Sequence, residues 1–181
     1  TFDGAIRITS FGDLTVTAAN TLGAGDANDF VLRTRAVGGV ASSLSLGNLV
    51  NTGRGDLLLD VQGVLASLTG TRVQADALQV NAALEGASAG VALISLRSDV
   101  NSAALVTKGA GDVALNQVTN RKLVVSGTAI ADGDLRIDTL GVVDLQSVDL
   151  LSNDDGNDLV VDADGDILVR RVSVGVHLAS A

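Results

Sequence analysis

A short repeated unit constrains the fold of this chain more than any other feature of its sequence. The unit is Gly-Asp followed by an apolar residue, any residue and a second apolar residue, and it begins at Gly12, Gly55, Gly111, Gly133 and Gly165. Looser copies keep the apolar alternation and begin at Asp29, Ser43, Ala77, Gly90, Lys122 and Asp158. Alternation with a period of two predicts β-strands with one buried face. We expect each Gly-Asp pair to form a turn, with the glycine at positive φ and the aspartate bonded to its own backbone.

The apolar residues of the chain are unusually uniform. They make up 46% of the 181 residues and are almost all Val, Leu, Ile and Ala, with three Phe and no Trp, Tyr, Met, Cys or Pro. An average chain of this length contains about nine prolines, so their absence indicates one compositional pattern that is reused along the chain. Glu85 is the only glutamate among 21 acidic residues, and aspartate is typical of turns rather than helices. The composition therefore predicts an all-β fold.

The spacing of the units bears on which all-β architecture the chain adopts. The step from Gly111 to Gly133 is almost the same as the step from Gly90 to Gly111, whereas the other steps between units are longer and irregular. A recurring interval of about 21–22 residues fits one turn of a β-solenoid, in which each coil stacks on the next. An antiparallel β-sandwich also contains many short strands and is the alternative. Similar aliphatic residues at like positions, and the lack of Asn-Gly hairpin turns, favour the parallel β-helix.

The repeats also resemble those of a known group of proteins. The segment from Gly111 to Ile137, GDVALNQVTNRKLVVSGTAIADGDLRI, is similar to the repeats of filamentous-haemagglutinin-like bacterial adhesins and other giant repetitive surface proteins. The resemblance extends over most of the chain as a Gly-Asp/Asn-Leu-x-Val rhythm without a signature block. It implies a right-handed parallel β-helix, secretion, and a role at a cell surface or in a matrix. It carries over no catalytic residue.

An acidic run between residues 153 and 168 is the candidate site with the clearest chemistry. Gly156 and Gly165 belong to two similar copies of a short motif, and each is followed by aspartate and an aliphatic strand. Oxygen ligands from stacked Asp turns suit Ca²⁺, and this spacing is similar to the calcium repeats of RTX proteins, although the second copy lacks the double glycine. The candidate calcium ligands are Asp154, Asp155, Asp158, Asp162, Asp164 and Asp166. The alternative is that these aspartates only form solvated turns at the corners of the coils.

Several classes of function find no support in the sequence. His177 is the only histidine and cysteine is absent, so neither a catalytic triad nor a zinc site has its partners. No phosphate-binding loop is present, and we expect no enzymatic activity and no obligatory cofactor. The net charge of −9 and the single basic doublet Arg170-Arg171 argue against nucleic acid as a partner. No uncharged apolar run is long enough to span a bilayer, so we expect no membrane insertion.

These observations favour a structural role. We expect residues 1–181 to form a single repetitive β-solenoid segment, either part of a longer chain or the protomer of a polymer. Its function would be that of a rigid extracellular or cell-surface element: a filament, sheath, layer or stalk. Its partners would be neighbouring repeats of the same chain or further copies stacked end to end. The alternatives are an adhesin module that binds carbohydrate or protein along one face, and a calcium-stabilised segment similar to RTX proteins.

Overall fold

The computed structural model describes residues 4–21, 25, 28–67, 71–82, 93–152 and 157–175. Within these ranges the chain contains no helix, and 63% of it is strand. The all-β prediction is confirmed. A strand begins at or just after each of the five Gly-Asp units and the looser copies at Asp29, Ser43, Ala77, Lys122 and Asp158, because the alternating residues there place aliphatic side chains on one face. Eight further strands follow no predicted unit, and the looser copy at Gly90 begins outside the described residues.

The described strands form two sheets. The first sheet contains β1 (Ile6–Phe11), β3 (Phe30–Arg35), β5 (Leu57–Val61), β8 (Ala77–Ala82), β10 (Ser102–Thr107), β12 (Leu123–Val125), β13 (Thr128–Ile130), β15 (Val143–Leu145), β16 (Val148–Leu150), β18 (Ile167–Val169) and β19 (Val172–Val174). The second sheet contains β2 (Leu14–Asn20), β4 (Leu44–Asn51), β6 (Leu65–Ser67), β7 (Arg72–Gln74), β9 (Leu93–Asp99), β11 (Asp112–Gln117), β14 (Leu135–Thr139) and β17 (Leu159–Ala163). The chain alternates between the two sheets as it advances from coil to coil.

All pairings between these strands are parallel, and together they build a β-solenoid of about six turns. The order β1-β3-β5-β8-β10-β12-β15-β18 runs along the first sheet, so each strand pairs with its counterparts in the coils before and after it. An antiparallel sandwich would require antiparallel neighbours, so that alternative is wrong. The parallel β-helix is the architecture of this chain.

The turns of the solenoid differ in length, as the irregular spacing of the units indicated. Ser102 pairs with Val124, and this step along the chain equals the step from Gly111 to Gly133 on which the solenoid prediction rested. Other turns depart from it: the step from Leu93 to its partner Asp112 is shorter, whereas the step from Leu14 to its partner Leu44 is clearly longer.

A local hairpin accounts for part of that longest turn. It lies between β3 and β4, where Val37 and Val40 form an antiparallel bridge. The two residues between them are Gly38 and Gly39, with φ of 58° and 81°. A tight turn with two positive φ angles is readily adopted by glycine, so this pair permits the chain to reverse without disturbing the stacked coils.

The core consists of aliphatic ladders that run along the solenoid axis. In the first sheet one ladder joins residues in register from coil to coil: Ile8, Leu32, Leu59, Val80 and Leu105. The four later members are at most 1% exposed, whereas Ile8 in the first coil is 39% exposed. Each side chain therefore excludes water only when a neighbouring coil covers it, as expected of a one-dimensional stack.

Candidate functional site

The predicted calcium ligands are distributed along the last coils rather than gathered in one turn. Asp158 directly precedes β17, Asp162 lies within that strand, Asp164 follows it, and Asp166 directly precedes β18. In the part of the chain that the structure describes, no group of three His, Cys, Asp or Glu side chains is placed to hold a metal ion. Asp154 and Asp155 lie outside the described residues, as does His177. Calcium binding by this segment stays a prediction.

A series of aspartates forms hydrogen bonds between successive coils, and the last of these bonds is donated by the backbone N–H of Asp158. Each of these aspartates lies at the start of a strand or just before it, and its Oδ1 accepts a backbone N–H from the next coil. The donor and acceptor pairs are Ser43 to Asp13 (2.7 Å), Asp56 to Asp29 (2.9 Å), Ala77 to Asp56 (3.2 Å), Asp134 to Asp112 (3.0 Å) and Asp158 to Asp134 (2.8 Å). The expected bond to the residue's own turn is thus replaced by a bond to the following coil. We call this series the aspartate ladder.

The hydrogen bonds of the aspartate ladder explain how negatively charged side chains can stack on one another without a bound cation. Asp112, Asp134 and Asp158 stand at equivalent corners of successive coils, where bare carboxylates would repel one another. In the two interfaces between them, a backbone N–H of the next coil donates to the carboxylate below it. Hydrogen bonds to an ionised acceptor are stronger than neutral ones, so the amides offset part of the repulsion. A compact stack of these turns therefore does not by itself require calcium.

The glycine of the unit serves two separate purposes. Gly12, Gly111 and Gly133 have φ between +123° and +152°, as the turn prediction required. Gly55 and Gly165 are not among the positive-φ glycines and are needed for a different reason. A Cβ on Gly55 would lie 2.4 Å from the carbonyl carbon and oxygen of Asn28 in the preceding coil. At that corner glycine permits adjacent coils to approach each other.

Ion pairs tie the outer faces of successive coils together. The carboxylate of Asp144 lies between Lys122 Nζ at 2.8 Å and Arg170 Nε at 2.9 Å, and its side chain is only 1% exposed. The hydrogen bond from Arg170, which has the larger effect, and the one from Lys122 hold the pKa of Asp144 well below its usual range. Arg171 pairs with Asp149 at 3.3 Å, so both members of the basic doublet are engaged within the fold. Neither arginine forms an ion pair with Asp162 or Asp164, although both of these acids lie near the doublet in sequence.

Asp162 and Asp164 line an acidic cleft of about 270 Å³ on the second sheet together with Asp138 and Arg136. Asp138 pairs in register with Asp162 of the next coil, and Arg136 binds Asp138 through two hydrogen bonds of 2.8 and 3.0 Å. The hydrogen bond and the charge of Asp138 raise the pKa of Arg136. Among the described residues that line the cleft, one cation therefore accompanies three carboxylates. This cleft brings two predicted calcium ligands together and adds Asp138, which the sequence pattern did not single out.

A second and larger groove lies on the first sheet, where sequence reasoning predicted no site. It has a volume of about 420 Å³, and its polar lining consists of Arg35, Asp60, Gln62, Asn81 and Lys108. These residues lie at or just beyond the ends of β3, β5, β8 and β10, which are consecutive strands of the sheet. Because each strand contributes from a different coil, only knowledge of the register brings these side chains together.

Comparison with known proteins does not indicate a function for this chain. The chain matches no protein-family model, no curated protein and no solved structure. The parallel β-solenoid agrees with the fold that the resemblance to filamentous-haemagglutinin-like proteins implied. Membership of that group stays a prediction. No helix within the described residues is long and apolar enough to cross a membrane.

Proposed function

We propose that this solenoid is a rigid structural element, without catalytic activity, that forms part of an extracellular filament, sheath, layer or stalk. Successive coils are joined in three ways: by parallel backbone pairing, by the aspartate ladder and by ion pairs such as Lys122–Asp144–Arg170. Bonds of all three kinds run along the axis, so they resist the separation of coils. This continuous axial bonding is the observation that carries the proposal.

The two ends of the described stack support growth by further coils. Along one inward ladder Ile6 is 44% exposed and Val169 is 61% exposed, whereas the members between them are at most 3% exposed. Strands β1 and β18 stand at the ends of the sheet order, and an unpaired strand edge is a template for another strand. We propose that coils of the same polypeptide, or of another copy, stack on these surfaces.

Sedimentation and electron micrographs of the wild-type chain and two variants test this proposal. Val169→Lys places a charge on the inward face of the last coil, and Val160→Lys is the matched control on the outer face of β17, where Val160 is already exposed. We expect wild type and Val160→Lys to form end-to-end fibres and Val169→Lys to stay dispersed, because a buried unpaired charge is costly. Equal assembly of all three proteins would contradict stacking through these ends.

A calcium chelator added to the same samples separates the structural proposal from its alternative. Fibres that persist after chelation support a stack held by the aspartate ladder and the ion pairs alone. Fibres that dissolve on chelation and form again when calcium is restored would instead favour the calcium-stabilised segment similar to RTX proteins.

A further inference from the structure

The groove on the first sheet has a charge opposite to that of the whole molecule. Arg35 Nη2 lies 2.7 Å and Arg33 Nε 3.2 Å from the same oxygen of Asp60, so two cations share one carboxylate. Lys108 also lines the groove, and its ammonium has no ion-pair partner among the described residues. In and beside the groove three cations therefore accompany one anion, on a protein of net charge −9. A local excess of positive charge attracts anionic ligands.

The shape of the groove fits an extended polymer. Its lining spans four consecutive strands, which at the usual spacing between strands amounts to about 14 Å along the solenoid axis. Asp60 pairs in register with Asn81, and Asn81 pairs in register with Val106, so each coil places one side chain at the same position of the groove floor. A ligand with a short regular repeat matches such a floor better than a compact molecule does.

The polar groups of the groove suit hydroxyls as well as anions. The side-chain amide of Asn81 has no hydrogen-bond partner within the described chain, and the Oε1 of Gln62 accepts only the N–H of Ala36. Asp60 adds a carboxylate acceptor, which would repel a ligand made of negative charges alone. A chain of sugars offers hydroxyl donors to Asp60 and Asn81 while placing its acidic groups against Lys108 and Arg35.

We propose that this groove binds an anionic polysaccharide along the solenoid axis. Single-stranded nucleic acid is the poorer match because its bases stack on aromatic side chains, and the groove lining contains no aromatic residue within the described part of the chain. An acidic peptide in an extended conformation binds through an open strand edge or apolar anchor pockets, and this groove lies on the outer face of paired strands. The site is independent of end-to-end stacking.

Calorimetric titration of the full chain with defined oligosaccharides tests the proposal. The ligands are a galacturonate hexamer, which carries carboxylates, a heparin hexasaccharide, which carries sulfates, and a neutral maltohexaose, with polyglutamate as the peptide probe. Lys108→Gln removes the unpaired cation, and Asn81→Asp adds a carboxylate of the same size. Arg97→Gln is the matched control, because Arg97 is an exposed cation without an ion pair among the described residues and lies on β9 of the other sheet.

We expect at least one anionic hexasaccharide to bind, and its affinity to fall as salt is raised. Lys108→Gln should weaken binding by about two- to fivefold, the range of an exposed ion pair, and Asn81→Asp by at least as much, while Arg97→Gln leaves it unchanged. Binding of the galacturonate alone assigns the acidic groups as carboxylates, and binding of heparin alone assigns them as sulfates. Absence of binding to both, equal losses in all three variants, or preference for maltohexaose or polyglutamate would overturn the proposal.

Discussion

At the scale of single residues, aspartate has two structural roles, as a hydrogen-bond acceptor between coils and as an ion-pair partner, and the sequence alone does not distinguish them. In the aspartate ladder it accepts a backbone N–H from the next coil, as Asp134 does for Asp158. In the ion pairs it lies on an outer face between cations of two other coils, as Asp144 does. The abundance of aspartate and its place before the strands were predictable from turn chemistry. The partners were not, because each lies a full coil away in sequence.

Asp144 predicts how acid affects the stack. Its pKa is lowered in the folded state by hydrogen bonds from Arg170 and Lys122. A carboxyl group with a lowered pKa stabilises the fold above its unfolded pKa of about 3.9 and loses that contribution as pH falls toward the folded value. We therefore expect Asp144→Asn to reduce the free energy of unfolding at neutral pH, and the difference from wild type to shrink below about pH 4.

Chemical denaturation at neutral pH and at about pH 3 measures that difference. Arg170→Gln provides the control, since loss of the main hydrogen-bond donor should move the pKa of Asp144 toward its usual value. Carboxyl-carbon NMR follows this movement directly. A difference between wild type and Asp144→Asn that is the same at both pH values would show that the Asp144 ion pairs do not titrate with the fold.

At the scale of elements, many of the strands were predictable, whereas eight of the 19 described strands and the register between strands were not. The Gly-Asp-apolar unit predicted β2, β5, β11, β14 and β18, because a turn followed by alternating aliphatic residues leaves few other conformations. The register shifts between Val16 and Ala18, where β4 carries an extra residue at Gly47 and Asn48. A Cβ on Gly47 would lie 2.3 Å from the carbonyl oxygen of Thr17. Such a bulge depends on contact with another coil and leaves no local pattern.

The candidate sites likewise divide into one that was predictable from local sequence and one that was not. The acidic run was visible because Asp158, Asp162 and Asp164 are close in sequence. The basic groove was not, because Arg35 and Lys108 are separated by several coils of sequence and become neighbours only through four consecutive strands. Sequence patterns in a solenoid therefore reveal sites that lie within one turn of the coil. Sites that run along the axis stay hidden until the register is known.

The aspartate ladder makes a prediction about the turns that it joins. Asp134→Ala removes the acceptor of the Asp158 N–H, whose hydrogen bond is 2.8 Å long. We expect the free energy of unfolding to fall by about 1 kcal/mol, and the Asp158 amide to lose protection from hydrogen exchange. Asp134→Asn keeps an oxygen acceptor and should lose less.

Asp132→Ala is the matched control for this experiment, since it removes a carboxylate from the same turn that has no side-chain bond among the described residues. Hydrogen exchange followed by NMR resolves the individual amides. If Asp132→Ala exposed the Asp158 amide as much as Asp134→Ala does, the effect would come from charge in the turn and the ladder bond would contribute nothing measurable.

At the scale of the whole molecule, the solenoid behaves as a one-dimensional array. Each coil contacts only its neighbours, so stability is a sum of coil and interface contributions. No large aromatic cluster anchors a centre: Phe30 is the only aromatic residue among the buried core side chains of the described chain. The inward ladders repeat similar aliphatic residues, and the bonds between coils repeat along both sheets. Position along the axis therefore decides how much a given side chain contributes.

One inward ladder allows position to be separated from chemistry. Leu105 and Ile8 belong to the same ladder, but Leu105 is 1% exposed and Ile8 is 39% exposed. We expect Leu105→Ala to lower the free energy of unfolding by about 2–5 kcal/mol, as for a buried leucine, and to expose amides in β10 and in the strands that pair with it. Ile8→Ala should cost roughly half of that or less, and its effect should stay within β1 and β3, because water already reaches the side chain. Denaturation together with hydrogen exchange measures both variants. An equal cost at the two positions would mean that another coil covers Ile8 in solution, which would place the end of the stack beyond β1.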